Sequence, residues 1–186
     1  MTFSKIYSCL ETSPVIAATK EKLFNDALDS PAEIIFLLEG NVMTVGEKIN
    51  QAHEKGKFIF VHIDLLKGIG KDRCGIELLA SLKADGIIST KSSLIKSAKE
   101  IGIVTIQRYF ALDSQGLESI KEMISSTKPD FIEIMPGVIE KVVSHFVREQ
   151  IPVIAGGLIE TKTEVTAALG CGAIAISTGK KELWYI

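Results

Sequence analysis

Short apolar runs rich in valine and isoleucine alternate along the chain with longer segments in which apolar and charged residues are interleaved. The eight runs are PVIAAT from residue 14, EIIFLLEG from 33, FIFVHIDLL from 58, GIIST from 86, VTIQRYF from 104, FIEIMPG from 131, PVIAGGL from 152 and AIAISTG from 173. Near-continuous apolar runs bounded by turn residues are typical of parallel strands covered on both faces. The pattern therefore predicts eight parallel strands.

Seven segments between these runs have apolar residues three and four positions apart, the spacing of an amphipathic helix. They are TKEKLFNDALDS, TVGEKINQAHEKG, RCGIELLASLKA, SLIKSAKEIG, SQGLESIKEMISSTK, VIEKVVSHFVREQ and KTEVTAALGCG. Strand and helix repeat about every 23 residues along the 186-residue chain, which predicts an α/β fold, a single compact (β/α)8 TIM-type barrel of parallel strands over residues 1–186. An open doubly wound sheet is the alternative.

Side chains alternate in direction along a strand, so every second residue of a barrel strand points inward. The residues expected inside are Phe60, His62 and Asp64 on strand three, Phe131, Glu133 and Met135 on strand six, and Ala173, Ala175 and Ser177 on strand eight. The inward residues of strand eight are small, which leaves room for a ligand.

Two adjacent glycines, Gly156 and Gly157, end the seventh run, and the sequence STG ends the eighth. Barrels of this class commonly hold phosphate in the loops after strands seven and eight. Glycine lets backbone N–H groups approach an anion closely and accepts positive φ. The pattern predicts a phosphate site made of Gly156, Gly157, Ser177, Thr178 and Gly179. The alternative is a tight turn before a helix cap at Thr161.

Other polar residues follow the predicted strands and are candidates for binding ligand hydroxyls or balancing phosphate charge. They are Glu39, Asp64, Lys67, Lys91, Arg108 and Glu133. His62 is either an acid–base catalyst oriented by Asp64 or a hydrogen-bonded interior histidine. Lys67 or Lys91 as a Schiff-base lysine is a further alternative. An enzyme and a binding protein both fit these residues.

Composition narrows the class of protein. Hydrophobic residues make up 46% of the chain and charged residues 24%, as in a globular domain with a substantial core. No apolar run reaches the ~18 residues of a membrane span and no signal-peptide pattern is present, so we expect a soluble, cytoplasmic protein with no membrane partner. Cys9, Cys74 and Cys171 lack metal-ligand spacing, so we expect reduced thiols and no metal.

The formal net charge of −2 and a pI near 6.0 show that the protein as a whole is not basic, as a general nucleic-acid-binding protein would be. A local excess exists between residues 61 and 110, where eight lysines and arginines accompany five acids. Any polyanion site on this protein is therefore expected to be local.

Five longer motifs of the chain form a distinctive set: HIDLLKGIGKD, DGIISTKSSLIKSAKEIG, IQRYFALDSQGL, KPDFIEIMPGVI and PVIAGGLIETKTEVTAALGCGAIAISTGKKELW. Together they resemble the motifs of the glycerol uptake operon antiterminator regulatory proteins. The resemblance implies a regulator that responds to glycerol 3-phosphate and binds the leader of nascent mRNA, so that transcription of glycerol-utilisation genes passes a terminator. It implies no catalytic residues and no cofactor beyond this effector, and it allows a homo-oligomer.

The resemblance also gives roles to residues. The phosphate of glycerol 3-phosphate would lie on the five glycine, serine and threonine residues above, and its hydroxyls would reach Asp64, Arg108 or Glu133. The family often has STS where this chain has STG, which removes a hydroxyl at Gly179 but leaves a backbone contact.

A surface for RNA is expected at Lys67, Lys71, Arg73, Lys91, Lys96, Lys180 and Lys181, with Trp184 as a stacking group. Solvated lysines and a packed tryptophan are the alternative. Two other functions stay open: a lyase or isomerase acting on a small phosphorylated metabolite, and a barrel that has lost phosphate affinity.

Overall fold

The computed structural model describes residues 2–186 and contains a closed barrel of eight parallel strands. The strands are β1 Val15–Thr19, β2 Ile34–Leu37, β3 Phe58–His62, β4 Gly86–Ser89, β5 Val104–Phe110, β6 Phe131–Met135, β7 Val153–Gly156 and β8 Ala175–Thr178. Each strand pairs with the next, and β8 pairs with β1 through Val15 and Ile176. The predicted (β/α)8 barrel is confirmed, and the open sheet is wrong.

Eight α-helices lie within the described residues, and seven of them match the segments predicted from periodicity. They are α1 Thr2–Thr12, α2 Phe24–Asp29, α3 Val42–Glu54, α4 Arg73–Ser81, α5 Ser92–Ile101, α6 Ser114–Thr127, α7 Glu140–Val147 and α8 Lys162–Gly170. Short 3-10 helices span Glu21–Leu23, Ile63–Leu65 and Lys181–Tyr185. The Thr161 cap is confirmed, since its side chain and that of Glu164 form a capping box.

Helix α1 is the element that the apolar runs did not predict. Its Ile6 and Leu10 pack inside the barrel against strand residues that include Phe60 and Phe131. The spacing of Phe3, Ile6 and Leu10 is helical, but no strand precedes this segment, so strand–helix alternation did not identify it. The helix closes the end of the barrel at which the strands begin.

Apolar side chains form two layers, one inside the barrel and one between the strands and the outer helices. Phe60, Phe131 and Ala175 lie in the inner layer as expected. The expectation for Ala173 is wrong: it belongs to the outer layer, while Ile174 packs against the inner one. The reason is that β8 begins only at Ala175, so two-residue alternation does not extend back to these positions.

The two ends of the barrel therefore differ. The end closed by α1 is filled with apolar groups, whereas the buried polar residues His62, Ser89, Arg108, Glu133 and Ser177 lie toward the carboxyl ends of the strands. A two-strand ladder between Gly40–Asn41 and Leu66–Lys67 lies after β2 and β3 at this second end. None of the α-helices in residues 2–186 is both long and apolar enough to cross a membrane.

Candidate functional site

A cleft of about 170 Å³ lies at the carboxyl ends of the strands, between the loops that follow β7 and β8. Six residues predicted for the ligand site line it: Arg108, Glu133, Gly157, Ser177, Thr178 and Gly179. Its volume is below the ~300–1,000 Å³ of sites for drug-sized ligands, so it suits a small metabolite. Leu38, Leu158 and Glu160 also line the cleft and were not predicted, although each is within a few residues of a strand end.

A buried ion pair forms the floor of the cleft. The Arg108 Nε donates to Glu133 Oε2 at 2.6 Å, and the Ser177 hydroxyl donates to Glu133 Oε1 at 2.5 Å. Glu133 is fully buried and Arg108 is 7% exposed. Residues from β5, β6 and β8 thus converge because their carboxyl ends meet inside the barrel. Both oxygens of Glu133 are engaged within the protein.

Glycine is needed at positions 156 and 157 for two different structural reasons. Gly156 is part of β7, and a Cβ there would lie 2.6 Å from both Glu133 Oε1 and Ser177 Oγ. Only glycine leaves room for that hydrogen bond. Gly157 has a φ of +76°, which favours glycine, and it lines the cleft, whereas Gly156 does not. The pair therefore makes a turn, and one of its members borders the predicted ligand site.

Thr178 connects the loops that follow β7 and β8 through hydrogen bonds. Its hydroxyl donates to the Ile159 carbonyl at 2.7 Å and accepts from the Lys180 N–H at 3.1 Å. The carbonyl of Thr178 accepts a hydrogen bond from the Trp184 indole at 2.8 Å. Since the hydroxyl protons of Ser177 and Thr178 are both donated within the protein, a phosphate here would depend on backbone N–H groups and arginine.

His62 lies in the interior near this ion pair. Burial, together with the charge of Arg108, lowers the pKa of His62 to about 4, against the opposing charges of Asp64 and Glu133. The imidazole is therefore neutral at pH 7. Its Nδ1 is 4.0 Å from Asp64 Oδ2 and has no hydrogen-bond partner among the described residues. The structure forms no His62–Asp64 hydrogen bond, and the expectation of a hydrogen-bonded interior histidine is wrong for this nitrogen.

Asp64 is held away from the cleft by β4. Its Oδ2 accepts from the Thr90 backbone N–H at 2.7 Å, and both carboxylate oxygens accept from the Ser89 hydroxyl. Asp64 does not line the cleft. Of the three residues expected to reach ligand hydroxyls, the structure brings together Arg108 and Glu133 but leaves Asp64 on the β3 side.

The residues expected to bind RNA are dispersed, and most have other partners. Lys71 donates to the carbonyls of Ile63 and Leu66, and burial lowers its pKa. Arg73 pairs with Glu77 at 2.9 Å and Glu100 at 2.7 Å. Lys96 donates to Ser126, and Lys181 pairs with Asp26. The remaining three lysines are the exposed Lys67, Lys91 and Lys180.

Trp184 is 1% exposed and packs in the outer core. The expectation that it stacks on RNA bases is therefore wrong, because both faces of the indole are inside the protein. Its position follows from the short helix Lys181–Tyr185, which turns the chain back onto the barrel after β8.

The three cysteines are free thiols. Within residues 2–186, no group of histidine, cysteine, aspartate and glutamate has the arrangement of a metal site.

Comparison with known proteins relates the chain to one family. The sequence profile described as glycerol-3-phosphate responsive antiterminator matches residues 15–184. The chain is 37% identical over 179 residues to the uncharacterized protein YgcP of Escherichia coli (strain K12), covering 94% of this chain and 93% of that protein.

Two crystal structures of related proteins are similar to this chain in both sequence and fold. A glycerol uptake operon antiterminator regulatory protein from Listeria monocytogenes str. 4b F2365 has a TM-score of 0.87 and 35% identity, over 91% of this chain and 94% of that one. A glycerol uptake operon antiterminator-related protein from Thermotoga maritima MSB8 has a TM-score of 0.83 and 31% identity, over 92% and 98%. With the motifs, the barrel and these relatives in agreement, the chain belongs to the glycerol-3-phosphate responsive antiterminator family.

Proposed function

We propose that this protein senses glycerol 3-phosphate in the cleft between the loops after β7 and β8, and that the ligand-bound form binds the leader of a nascent mRNA. Transcription of glycerol-utilisation genes would then pass a terminator. The observation that carries the proposal is the cleft itself, a small site bordered by Arg108, Gly157 and Gly179. In (β/α)8 barrels, phosphate is commonly bound at this position.

Arg108 supplies the charge for the phosphate. A guanidinium has five N–H donors, and the contact with Glu133 uses Nε. The terminal nitrogens can therefore bind phosphate oxygens while Nε stays on Glu133, which is an arrangement that arginine favours. Backbone N–H groups near Gly157 and Gly179 complete the cradle. Glu160, which also lines the cleft, offers an acceptor for a glycerol hydroxyl.

The arrangement favours sensing over catalysis. A general base needs a free basic atom within reach of the substrate, but both oxygens of Glu133 accept hydrogen bonds from the protein. Asp64 and the exposed lysines Lys67 and Lys91 lie outside the cleft. Acid–base chemistry by Glu133, Asp64 or these lysines would require them to rearrange, which leaves Glu160 as the one lining carboxylate among the described residues that is free to act as a base. Binding a polyol phosphate requires no rearrangement.

The first test is calorimetric titration of the purified protein with glycerol 3-phosphate, with glycerol and inorganic phosphate as controls. In Gly157→Asp, a carboxylate beside the phosphate should lower affinity at least tenfold. Gly157→Asn is the matched control, because asparagine has the same size and tolerates the same positive φ without the charge. Saturable binding that Asp removes and Asn largely keeps supports the site. Absence of binding by the wild-type protein would contradict it.

The second test concerns RNA. The affinity for a glycerol-operon leader transcript is measured by filter binding with and without saturating glycerol 3-phosphate, at one fixed salt concentration. A ligand regulates only through a difference in affinity between two states. We expect tighter binding with the ligand, and equal affinity in both conditions would refute ligand-dependent antitermination.

A further inference from the structure

A larger cavity of about 550 Å³, separate from the ligand cleft, lies between the β5–α6 loop and α7. We call it the α6–α7 cavity. Ala111, Leu112 and Leu117 line one side of it, and Ile139, Val142 and His145 line the other. It shares no lining residue with the ligand cleft, and none of the residues predicted to bind RNA lies in it.

The rim of the α6–α7 cavity exposes large apolar side chains. Leu112 is 85% exposed and Ile139 is 42% exposed, and both line the cavity. Phe110, two residues before Leu112 at the end of β5, is 56% exposed. A single exposed apolar residue is ordinary, but adjacent ones around a cavity commonly indicate a binding surface.

Polar groups in the cavity are mainly donors and cations. Lys141 and Arg148 line it, and neither makes an ion pair with another described residue. Asp113 is the one acid among the described lining residues, and its Oδ1 accepts from the Gly116 N–H at 2.7 Å as the cap of α6. His145 has a buried Nε2 without a hydrogen-bond partner in the part of the chain described.

These features match an unpaired nucleotide better than a small polyol phosphate. Single-stranded RNA is recognised by aromatic rings or arginine guanidinium planes on which bases stack, by polar side chains that hydrogen-bond base edges, and by cations along the backbone. In the α6–α7 cavity the flat groups are the Arg148 guanidinium and the His145 ring, Ser114 and Ser144 carry hydroxyls, and Lys141 is a second cation. A base would also cover the apolar Leu112 and Ile139, whereas glycerol 3-phosphate has no apolar face to do so. Resting on the proposed function, in which this protein binds RNA, we infer that an unpaired nucleotide of the leader RNA binds in the α6–α7 cavity.

A short segment links this cavity to the ligand cleft. Met135 lines the cleft, and its carbonyl accepts from the Ala111 N–H, in the wall of the α6–α7 cavity, at 2.8 Å. The Gly137 N–H donates to the carbonyls of Gly156 at 2.5 Å and Gly157 at 3.3 Å. Ile139, two residues later, lines the α6–α7 cavity. A ligand on Gly157 therefore acts on a segment that forms part of the nucleotide site.

The coupling is reciprocal by thermodynamic necessity. If glycerol 3-phosphate raises the affinity for RNA by some factor, saturating RNA raises the affinity for glycerol 3-phosphate by the same factor. The double variant Leu112→Ser, Arg148→Gln removes an apolar contact and a guanidinium cation from exposed positions, so the fold should be kept.

The experiment measures leader-RNA affinity by filter binding in saturating glycerol 3-phosphate and, separately, glycerol 3-phosphate affinity without RNA. The double variant is expected to lose at least tenfold in RNA affinity and to have a shallower salt dependence, with unchanged ligand affinity. The matched control is Met43→Ser, Lys5→Gln, which changes an 88% exposed methionine on α3 and an exposed lysine on α1. It should bind RNA within about threefold of wild type.

The outcomes separate this inference from the proposed function. If the double variant binds RNA as tightly as wild type, the nucleotide site is refuted while RNA binding stands. If the wild-type protein with ligand binds no RNA, both fail. Photo-crosslinking of 4-thiouridine-containing leader RNA to the wild-type protein provides a check without a variant. Crosslinks within residues 111–117 or 139–148 support the site, and crosslinks confined to other parts of the chain overturn it.

Discussion

The two ends of the barrel use the same strands for different purposes. On β6, Phe131 belongs to the end closed by α1, where its ring centroid is 5.2 Å from that of Phe3. Two residues later, Glu133 forms the buried ion pair beneath the cleft between the loops after β7 and β8. The first position is filled by apolar packing, and the second by a network of charges. About 7 Å along one strand therefore separates a position that stabilises the fold by apolar packing from a position beneath the cleft proposed to bind the ligand.

Removing the aromatic ring at the closed end should have the largest effect on stability. Phe131→Ala leaves a cavity in the inner core and is expected to lower the free energy of unfolding by about 3–5 kcal/mol. Urea denaturation measures this, and calorimetry on the folded protein should find glycerol 3-phosphate affinity unchanged. Phe110→Ala is the control, because that ring is 56% exposed and should cost under ~1 kcal/mol. A large loss of ligand affinity in Phe131→Ala would contradict the separation.

His62, which lies toward the carboxyl ends of the strands, makes the stability of the fold sensitive to acid. Its pKa is about 4 in the folded protein, against an ordinary value of 6.5. The unfolded chain therefore takes up a proton at a higher pH than the folded protein does. The stabilisation is complete above pH 6.5 and is lost as the pH falls toward 4.

At ~1.4 kcal/mol per pKa unit, this loss amounts to roughly 3 kcal/mol. Denaturation of wild type and of His62→Gln is measured at a series of pH values. Because carboxylates titrate in both proteins, the difference between the two free energies of unfolding reports the contribution of His62. The difference between the two proteins should change mainly between pH 6.5 and 4. A pH-independent difference would mean that His62 is not buried in its neutral form.

Glu133→Gln changes charge but not shape within the ion pair. Losing a charged acceptor for Arg108 and Ser177 should cost about 2 kcal/mol of unfolding free energy. Because a negative charge beneath the cleft is removed, affinity for glycerol 3-phosphate should rise several-fold. Stability is measured by denaturation and affinity by calorimetry. A tenfold fall in affinity would show instead that the carboxylate itself binds a glycerol hydroxyl.

The smallest expected effect is at the cap of α8, which follows the loop that lines the cleft. Thr161→Ala removes one side of the capping box and should lower the free energy of unfolding by about 1 kcal/mol. Ligand affinity should change less than twofold, because Thr161 does not line the cleft. A larger loss would mean that the cap holds the Gly157 loop in its binding form.

The barrel was predictable because its signal is local. Apolar runs and helical spacing specify β1–β8 and α2–α8 without knowledge of tertiary contacts, and the position of Gly157 and Gly179 after strands seven and eight indicates the cleft. Helix α1 lies outside this alternation of strands and helices. The helical spacing of its own apolar residues was the one local signal for it, and α1 was not predicted.

Partners at the site depend on contacts between distant residues. Nothing near Ser177 in the sequence indicates that its hydroxyl donates to Glu133, 44 positions away. For the same reason, the burial of Trp184 and the engagement of Asp64 by Ser89 were not predicted. Residue types could be assigned to the site from sequence, but the use of each donor and acceptor could not.

The hydrogen bond from the Trp184 indole to the Thr178 carbonyl gives this barrel an intrinsic optical probe. Trp184 is the single tryptophan of the chain, so all tryptophan emission comes from one ring anchored where β8 ends beside the cleft. A ligand that moves Thr178 changes the polarity around that ring and therefore its emission. Occupancy of the cleft can then be followed by fluorescence on unlabelled protein, including in the proposed RNA-binding experiment.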